Sequence, residues 1–380
     1  MGDMLLTAGK PKFRLFPKRG YILLLIGILI GFLLFTAISI MFARGGVEVI
    51  EFLYTSEKQG WIEEVTPLFE EWYFETFEKR IHVKLTVTGT HDSVIQILWG
   101  NVKPVAWSPA SSIWIPYLNL MWNKTIGYSE KIAPDNWNKT LLSPVVIAGW
   151  KSLFEQYNIA SFRGLYELAK TGDFKFGHPD PRDSNGGTMA VVLEFAEAAT
   201  KKPSELNIDD FKHEKTLEFV STLESKSVYY GKSTGFFGRW AAENGPSAIS
   251  FFSVYENVVL DNALKAENRW GDPLVAVYPE NGTLFTDHPF VVLDAPWVEP
   301  WQKEVAQQYL SFLLSEENQQ KAQQYGFRPA NPNVPLNTTI FNEANGVRAD
   351  ITEVSILDPL PGEALDALFT VWITVKNQGI

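Results

Sequence analysis

Hydrophobic and polar positions begin to alternate in an organised way just after residue 46. Val47 to Tyr54 reads VEVIEFLY and predicts a strand, and Thr55-Ser56-Glu57 then offers capping residues for an aromatic-rich helix running to about Thr76. Ile81, Val83, Leu85 and Val87 alternate with polar neighbours, the two-residue period of a second strand. Thr88-Gly89-Thr90 follows it and leads to a helix expected to be capped by Asp92 and to end at Gly100. A third short strand, Val105 to Trp107, passes through Ser108-Pro109-Ala110-Ser111-Ser112 into another apolar helix. This alternation of strand and helix predicts an α/β layer built on a mostly parallel sheet.

The second half repeats the theme after an extended crossing, SPVVIAGW at 143–150. The loop FKFGHPDPRDSNGG at 174–187 and the helix TMAVVLEFAEAA at 188–199 open a second α/β set. AISFFSVYENVVL (248–260) and LVAVYPE (274–280) are expected to be extended. PFVVLDA (289–295) is a strand before one long helix from about Glu299 to Tyr325, with Val305, Tyr309 and Phe312 at helical spacing and Gly326 closing it. Beyond Pro361, Leu365, Leu368, Phe369, Trp372 and Val375 share one face of a helix that suits docking. The boundaries expected are lobe one at 44–145 and 273–345, lobe two at 146–272, and a docking segment at 346–380.

Ahead of these lobes, residues 21–43 form an apolar run long enough to cross a hydrocarbon core of about 30 Å at about 1.5 Å per residue. Residues 1–20 carry Lys10, Lys12, Arg14, Lys18 and Arg19, whereas Arg44 alone follows the run before Glu48 and Glu51, so the N-terminus is expected in the cytoplasm and the lobes outside. Gly27 and Gly31 have a spacing that can pair such helices. Without residues 1–20 the chain keeps 28 basic against 43 acidic residues, a field that opposes nucleic acid. There is no cysteine, which excludes disulfides, thiolate metal sites and a lipidated cysteine. Sequons at Asn123, Asn138, Asn281 and Asn337 fit an external, glycosylated location.

Five stretches together carry a family resemblance: GTHDSVIQILWGNVKPVAWSPASSIW (89–114), SPVVIAGW, FGHPDPRDSNGGTMA (176–190), VYEN (254–257) and YGFRPANPNVPL (325–336). From Val47 to about Val375 the chain resembles extracellular solute-binding proteins of the type II periplasmic-binding fold, in the branch encoded with von Willebrand A-type domain proteins. The resemblance implies two lobes joined by crossover strands and closing on a solute, with an ABC permease or a von Willebrand A-type domain protein as partner. It departs from bacterial relatives in having a transmembrane anchor, an archaeal style, where those often carry a lipidated cysteine.

Helix-opening loops rich in hydroxyls and glycine fit that picture, because free helix N–H groups accept an anion or a polar group. Thr55, Ser56, Thr90, Ser108 and Ser111 lie at successive strand ends of lobe one, Asn185 and Thr188 open a helix of lobe two, and Ser233 and Tyr255 add reach; these nine are the expected solute contacts. Glu256 is expected to brace a loop. Gly231-Lys232-Ser233-Thr234-Gly235 matches a nucleophile-elbow pattern, with His288 and three aspartates in hydrolase order, but the strand before it reads as poor. An external serine hydrolase using Ser233, or a surface protein that kept the fold and lost its ligand, are the alternatives to a receptor. Lys226 stands where a Walker A motif needs glycine, and the five histidines show no metal spacing, so neither cofactor nor metal is expected. His178, Asp180 and Asp183 are close in sequence, yet Pro179 and Pro181 make a turn the simpler reading.

Overall fold

The computed structural model describes residue 29, residues 46–127 and residues 130–378. The expected membrane span at 21–43 lies outside the described residues except for Leu29. Among the described residues no helix is long and apolar enough to cross a membrane. The chain falls into two compact units. In the smaller, Met1–Glu48 with Tyr73–Ile81, the described part holds the end of one helix and the turn into a strand. The larger is Val49–Trp72 with His82–Ile380.

In chain order, β1 (Glu48–Thr55) turns through a 3-10 segment (Ser56–Lys58) into α1 (Gln59–Phe77), β2 (Ile81–Thr88) leads to α2 (Thr90–Leu98), and β3 (Ala106–Ser108) to α3 (Trp114–Ile126). Next come β4 (Asn138–Lys139), β5 (Leu141–Trp150), α4 (Lys151–Tyr157), α5 (Phe162–Thr171), β6 (Phe176–Pro179) and α6 (Asn185–Ala199). They are followed by α7 (Ile208–Lys212), α8 (Glu214–Glu224), β7 (Ser227–Gly231), α9 (Thr234–Asn244), β8 (Phe251–Tyr255), α10 (Glu256–Trp270) and β9 (Leu274–Val277). The chain ends through β10 (Phe285–Thr286), β11 (Pro289–Val292), α11 (Pro300–Leu313), α12 (Glu316–Gln324), β12 (Arg328–Pro329) and α13 (Gly362–Gln378).

One sheet has the order β2-β1-β3-β11-β4, with β1 parallel to β3 (Leu53 opposite Trp107) and β11 antiparallel to β3. Phe52, Leu53 and Tyr54 are all buried because β1 is central and covered on both faces, whereas edge strand β2 alternates buried Ile81 and Val83 with exposed His82 and Lys84. A second, two-stranded sheet pairs β6 with β7 in parallel. Between them β5 recruits β12 and β10 along residues 141–144, then β8 and β9 along 145–150. Pro144, which has no N–H to donate, sits where these partners change.

Three local expectations are corrected. ENVVL is not extended: β8 ends at Tyr255, and Val258, Val259, Asn262, Ala263 and Ala266 are buried at helical spacing in α10, so a β-branched pair was overridden by packing. The long helix after Glu299 is two helices. Ser315 Oγ accepts from Asn318 N (3.5 Å) to start α12, while the Asn318 and Gln319 side chains cap the carbonyls of Phe312 (2.8 Å) and Leu313 (3.0 Å). Asp92 does not cap α2, whose N-cap is Gly89; it lies in the first turn, where its charge complements the helix dipole.

Candidate functional site

Three loops meet at the carboxyl ends of β1 and β3. They are the 3-10 segment after Thr55, residues 108–112, and the turn between β10 and β11 that bears Asp287 and His288. His288 N donates to Ala110 O (3.2 Å), Ser112 N to Asp287 Oδ1 (2.8 Å), and the Thr140 hydroxyl to His288 O (2.6 Å). These bonds hold His288 at φ +38°, a left-handed conformation costly for a residue with a Cβ and often found at functional sites.

Lys58 is enclosed by this junction, with 1% of its surface exposed. Its Nζ donates to Thr55 Oγ1 (2.8 Å) and Pro109 O (3.4 Å) and lies 3.2 Å from His288 Nδ1. All three acceptors are neutral. Burial pushes the ammonium down to about 7, with only partial relief from the charges of Glu57 and Asp287. Because Nδ1 accepts from Lys58, the His288 proton resides on Nε2; burial, reinforced by the Lys58 charge, keeps the ring neutral. That Nε2–H has no partner, and neither have Ser108 Oγ and Glu57 Oε2, all three shielded from bulk water. Each buried polar group left unmatched costs about 1–3 kcal/mol, so a neighbourhood with a donor, a hydroxyl and a carboxylate oxygen to spare is suited to a bound polar molecule.

A second polar chain spans β8, α6 and α3. Asn185 Nδ2 donates to Tyr255 Oη (2.8 Å), and Asn185 Oδ1 accepts from Trp114 Nε1 (2.6 Å). Burial, then the Glu57 charge, pushes the Tyr255 phenol well up, so the Glu57 charge acts on this chain as well as on Lys58. Beside it Ser184 Oγ and Thr234 Oγ1 are 2.9 Å apart. Gly186 packs so closely there that a Cβ would stand 2.3 Å from Thr234 Oγ1, and at Gly187 a Cβ would stand 1.9 Å from Pro179 O.

The nine expected contacts are thus distributed. Thr55 and Ser108 belong to the Lys58 neighbourhood, and Asn185 and Tyr255 to the second chain. Thr90 and Ser111 are buried and committed to the loop after β3: the Thr90 hydroxyl accepts from Ala110 N across to that loop, and the Ser111 hydroxyl from Ile113 N within it (3.4 Å each). Thr188 is committed to Pro181 O (2.7 Å), and Ser56 is exposed. Ser233 caps α9 by accepting from Phe236 N (3.4 Å). The cluster of Lys58, Glu57 and His288 had no signal in the sequence, since a lysine after a capping motif has no local signature and His288 is 230 positions away.

The elbow pattern needs a correction too. β7 is a real strand, parallel to β6, so Ser233 does sit between strand and helix. His288, however, faces Lys58, Asp287 binds Ser112 N, and Asp272 binds Ser152, so no serine-histidine-aspartate relay is assembled among the described residues. Glu256 braces the fold: its carboxylate takes a two-pronged ion pair from Arg328 (2.7 and 2.8 Å) and a hydrogen bond from Tyr278 Oη. His178 does not turn toward Asp180, which instead pairs with Arg182 (2.7 Å).

Residues 125–349, more than half of the chain, match the family described as bacterial extracellular solute-binding protein. The chain belongs to that family. None of the curated proteins matches the sequence. Among solved structures, this solute-binding protein shares its fold with the periplasmic binding protein AfuA from Actinobacillus pleuropneumoniae, solved with fructose-6-phosphate (TM-score 0.57, 14% identity, 87% of this chain and 97% of that one). It is likewise similar to a periplasmic thiamin binding protein (0.58, 12%, 87% and 96%). A spermidine/putrescine ABC transporter protein from Listeria monocytogenes is a third match (0.58, 11%, 87% and 99%). The architecture is therefore the two-lobed α/β fold of periplasmic binding proteins, and the family is one of binding components rather than enzymes. A cavity of about 730 Å³ opens elsewhere on this solute-binding protein, beside Arg163, Glu197, Lys201 and Asn281. Those side chains already satisfy one another or near neighbours: Arg163 with Glu197 O (2.6 Å), Asn281 with the Glu197 carboxylate (3.0 Å), and Lys201 with Asp210 (2.7 Å). It offers no unmatched group comparable to those around Lys58.

Proposed function

We propose that this protein captures a small polar or anionic solute at the strand ends, with Lys58 providing a positive field and His288 Nε2–H and Ser108 Oγ the hydrogen bonds. The observation that carries the reading is a buried lysine bonded only to neutral acceptors beside three unmatched polar atoms. Glu57 Oε2 calls for a donor on the same solute, so a hydroxylated anion or a zwitterion fits better than a bare oxyanion. Among similar structures, one was solved with a sugar phosphate, which has both features. Thr55, Asn185 and Tyr255 shape the site, Thr90, Ser111, Thr188 and Ser233 hold its loops, and Ser56 lies at its edge.

On this reading the lobes divide at 145/146 and 272/273, an anchor at 21–43 holds the protein to the outer face of the membrane, and the captured solute is delivered to an ABC permease. A von Willebrand A-type domain protein is the further partner suggested by the resemblance. The test is a thermal-shift and calorimetric screen of the full chain in mild detergent, using fructose-6-phosphate, thiamin, spermidine, glycine betaine and amino acids as probes. Ligand binding only to the native state raises the melting temperature. A hit that Ser108→Ala weakens by about 0.5–1.5 kcal/mol, with unliganded stability equal to or above that of wild type, supports the site, since that hydroxyl has no internal partner to lose. A hit that binds equally to Lys58→Met and Ser108→Ala moves the site elsewhere.

A further inference from the structure

Away from the strand ends, three buried side chains from three elements converge. His178 is on β6, Glu194 on α6 and Glu224 at the end of α8, and one potential ligand atom from each lies within 4.8 Å of the others. None of the three has more than 4% of its surface exposed. Isolated buried carboxylates are rare because the charged form is so poorly solvated there, so two beside one imidazole need an explanation.

Two of the residues already have the outer partners a metal ligand needs. His178 Nδ1 is 2.7 Å from Pro179 O, which makes Nδ1 the protonated nitrogen and aims Nε2 at Glu224 Oε1, 2.7 Å away. Glu224 Oε2 accepts from Tyr230 Oη (2.6 Å) and Ser227 Oγ (3.1 Å), leaving Oε1 on the inner side. Glu194 is fully buried, and its oxygens meet no nitrogen or hydroxyl donor; the group they face is the carboxyl of Glu224, with which only a shared proton can make a hydrogen bond. Without a cation this group of three avoids net charge only by retaining extra protons.

We propose that His178 Nε2 and the carboxylates of Glu194 and Glu224 bind one divalent transition-metal ion of the zinc class. Two carboxylates balance the charge of such an ion, and an imidazole nitrogen in the set selects against calcium and magnesium. The ion would tie β6, α6 and α8 together. Its mechanical consequence reaches the solute site, because Pro179 leads directly into the loop ending at Asn185 and its bond to Tyr255.

The experiment unfolds the full chain in denaturant with chelator, refolds it in mild detergent with Zn2+ or Co2+, desalts it, and measures metal content and visible absorption. The expected result is about one ion per chain, a several-degree rise in melting temperature over the chelated protein, and the d–d bands of protein-held Co2+. Glu194→Gln is the decisive variant, since its amide keeps the side chain's shape and an N–H to offer Glu224 while removing the charge that would hold the ion. It should fold as wild type does in chelator, yet hold at least tenfold less metal and show no Co2+ bands. Wild-type protein that keeps no metal, or a Glu194→Gln variant that keeps as much, overturns the proposal. Glu194→Met separates the two roles: higher stability in chelator with metal lost agrees with it, and unchanged metal content contradicts it.

Discussion

The residue whose chemistry is most perturbed at the strand ends is Lys58. Its ammonium is pushed down to about 7 in the folded protein, against about 10.4 when unfolded. Between those pH values the unfolded chain holds the additional proton, so this group makes stability rise as pH increases from about 7 to about 10, with no change below 7. The burden at neutral and acidic pH is on the order of 4 kcal/mol by that difference alone. Lys58→Met removes it but leaves Thr55, Pro109 and His288 without their donor, so a net gain of about 1–3 kcal/mol at pH 6 is expected from denaturant unfolding. The gain should shrink toward pH 10; a variant less stable than wild type at pH 6 would show that the ammonium is well solvated. An anionic solute reverses the logic, because it favours protonated Lys58. Affinity should therefore be greatest below about pH 7 and fall above it, with proton uptake on binding at pH 8, measured by calorimetry in buffers of different ionisation enthalpy.

At the scale of elements, α13 and the α10–β12 contact matter most. Phe369 of α13 stacks on His91 (5.4 Å) and Trp114 (5.9 Å), and Asp366 pairs with Lys124 (2.9 Å), all near α2 and α3. One turn further on, Trp372 meets Tyr230 of β7 (5.5 Å), and Lys376 reaches Asp180 after β6 (3.5 Å). A single helix thus clasps both sheet systems, alongside the Trp114–Asn185 bond. Phe369→Ala should speed hydrogen exchange in residues 110–122 and 182–190 while β5 keeps its protection; equal rates everywhere would deny α13 a clasping role. The Glu256–Arg328 pair joins α10 to β12, and Arg328 also donates to Ala349 O (3.0 Å) and Arg348 O (2.5 Å). Arg328→Met leaves a buried carboxylate unpaired and should cost about 3–5 kcal/mol in denaturant unfolding; a loss under 1 kcal/mol would mean that Tyr278 alone suffices for Glu256.

For the whole molecule, solute capture by a two-lobed fold predicts hinge closure. Small-angle scattering of the full chain should show compaction when the solute found by screening saturates the protein, and no change would count against a moving hinge. The net charge of −11 makes nonspecific nucleic-acid binding weak, and it directs an anionic solute to a local positive field such as that of Lys58.

Periodicity by itself determined the class of fold. The successive strand-then-helix patterns of residues 47–126 follow from local spacing, and they appear as β1–α1, β2–α2 and β3–α3. Sequence also located the hydroxyl-rich strand ends, because loop composition reports helix starts. It could not show which hydroxyls are free: Thr188 and Ser108 look alike in the chain, but only folding commits the first to Pro181 and leaves the second unpartnered. Lys58 with His288, 230 positions away, and His178 with Glu194 and Glu224 are likewise products of tertiary structure. Their chemistry arises from desolvation and from side chains on separate elements meeting at close range, and neither quantity is encoded in any local window of sequence.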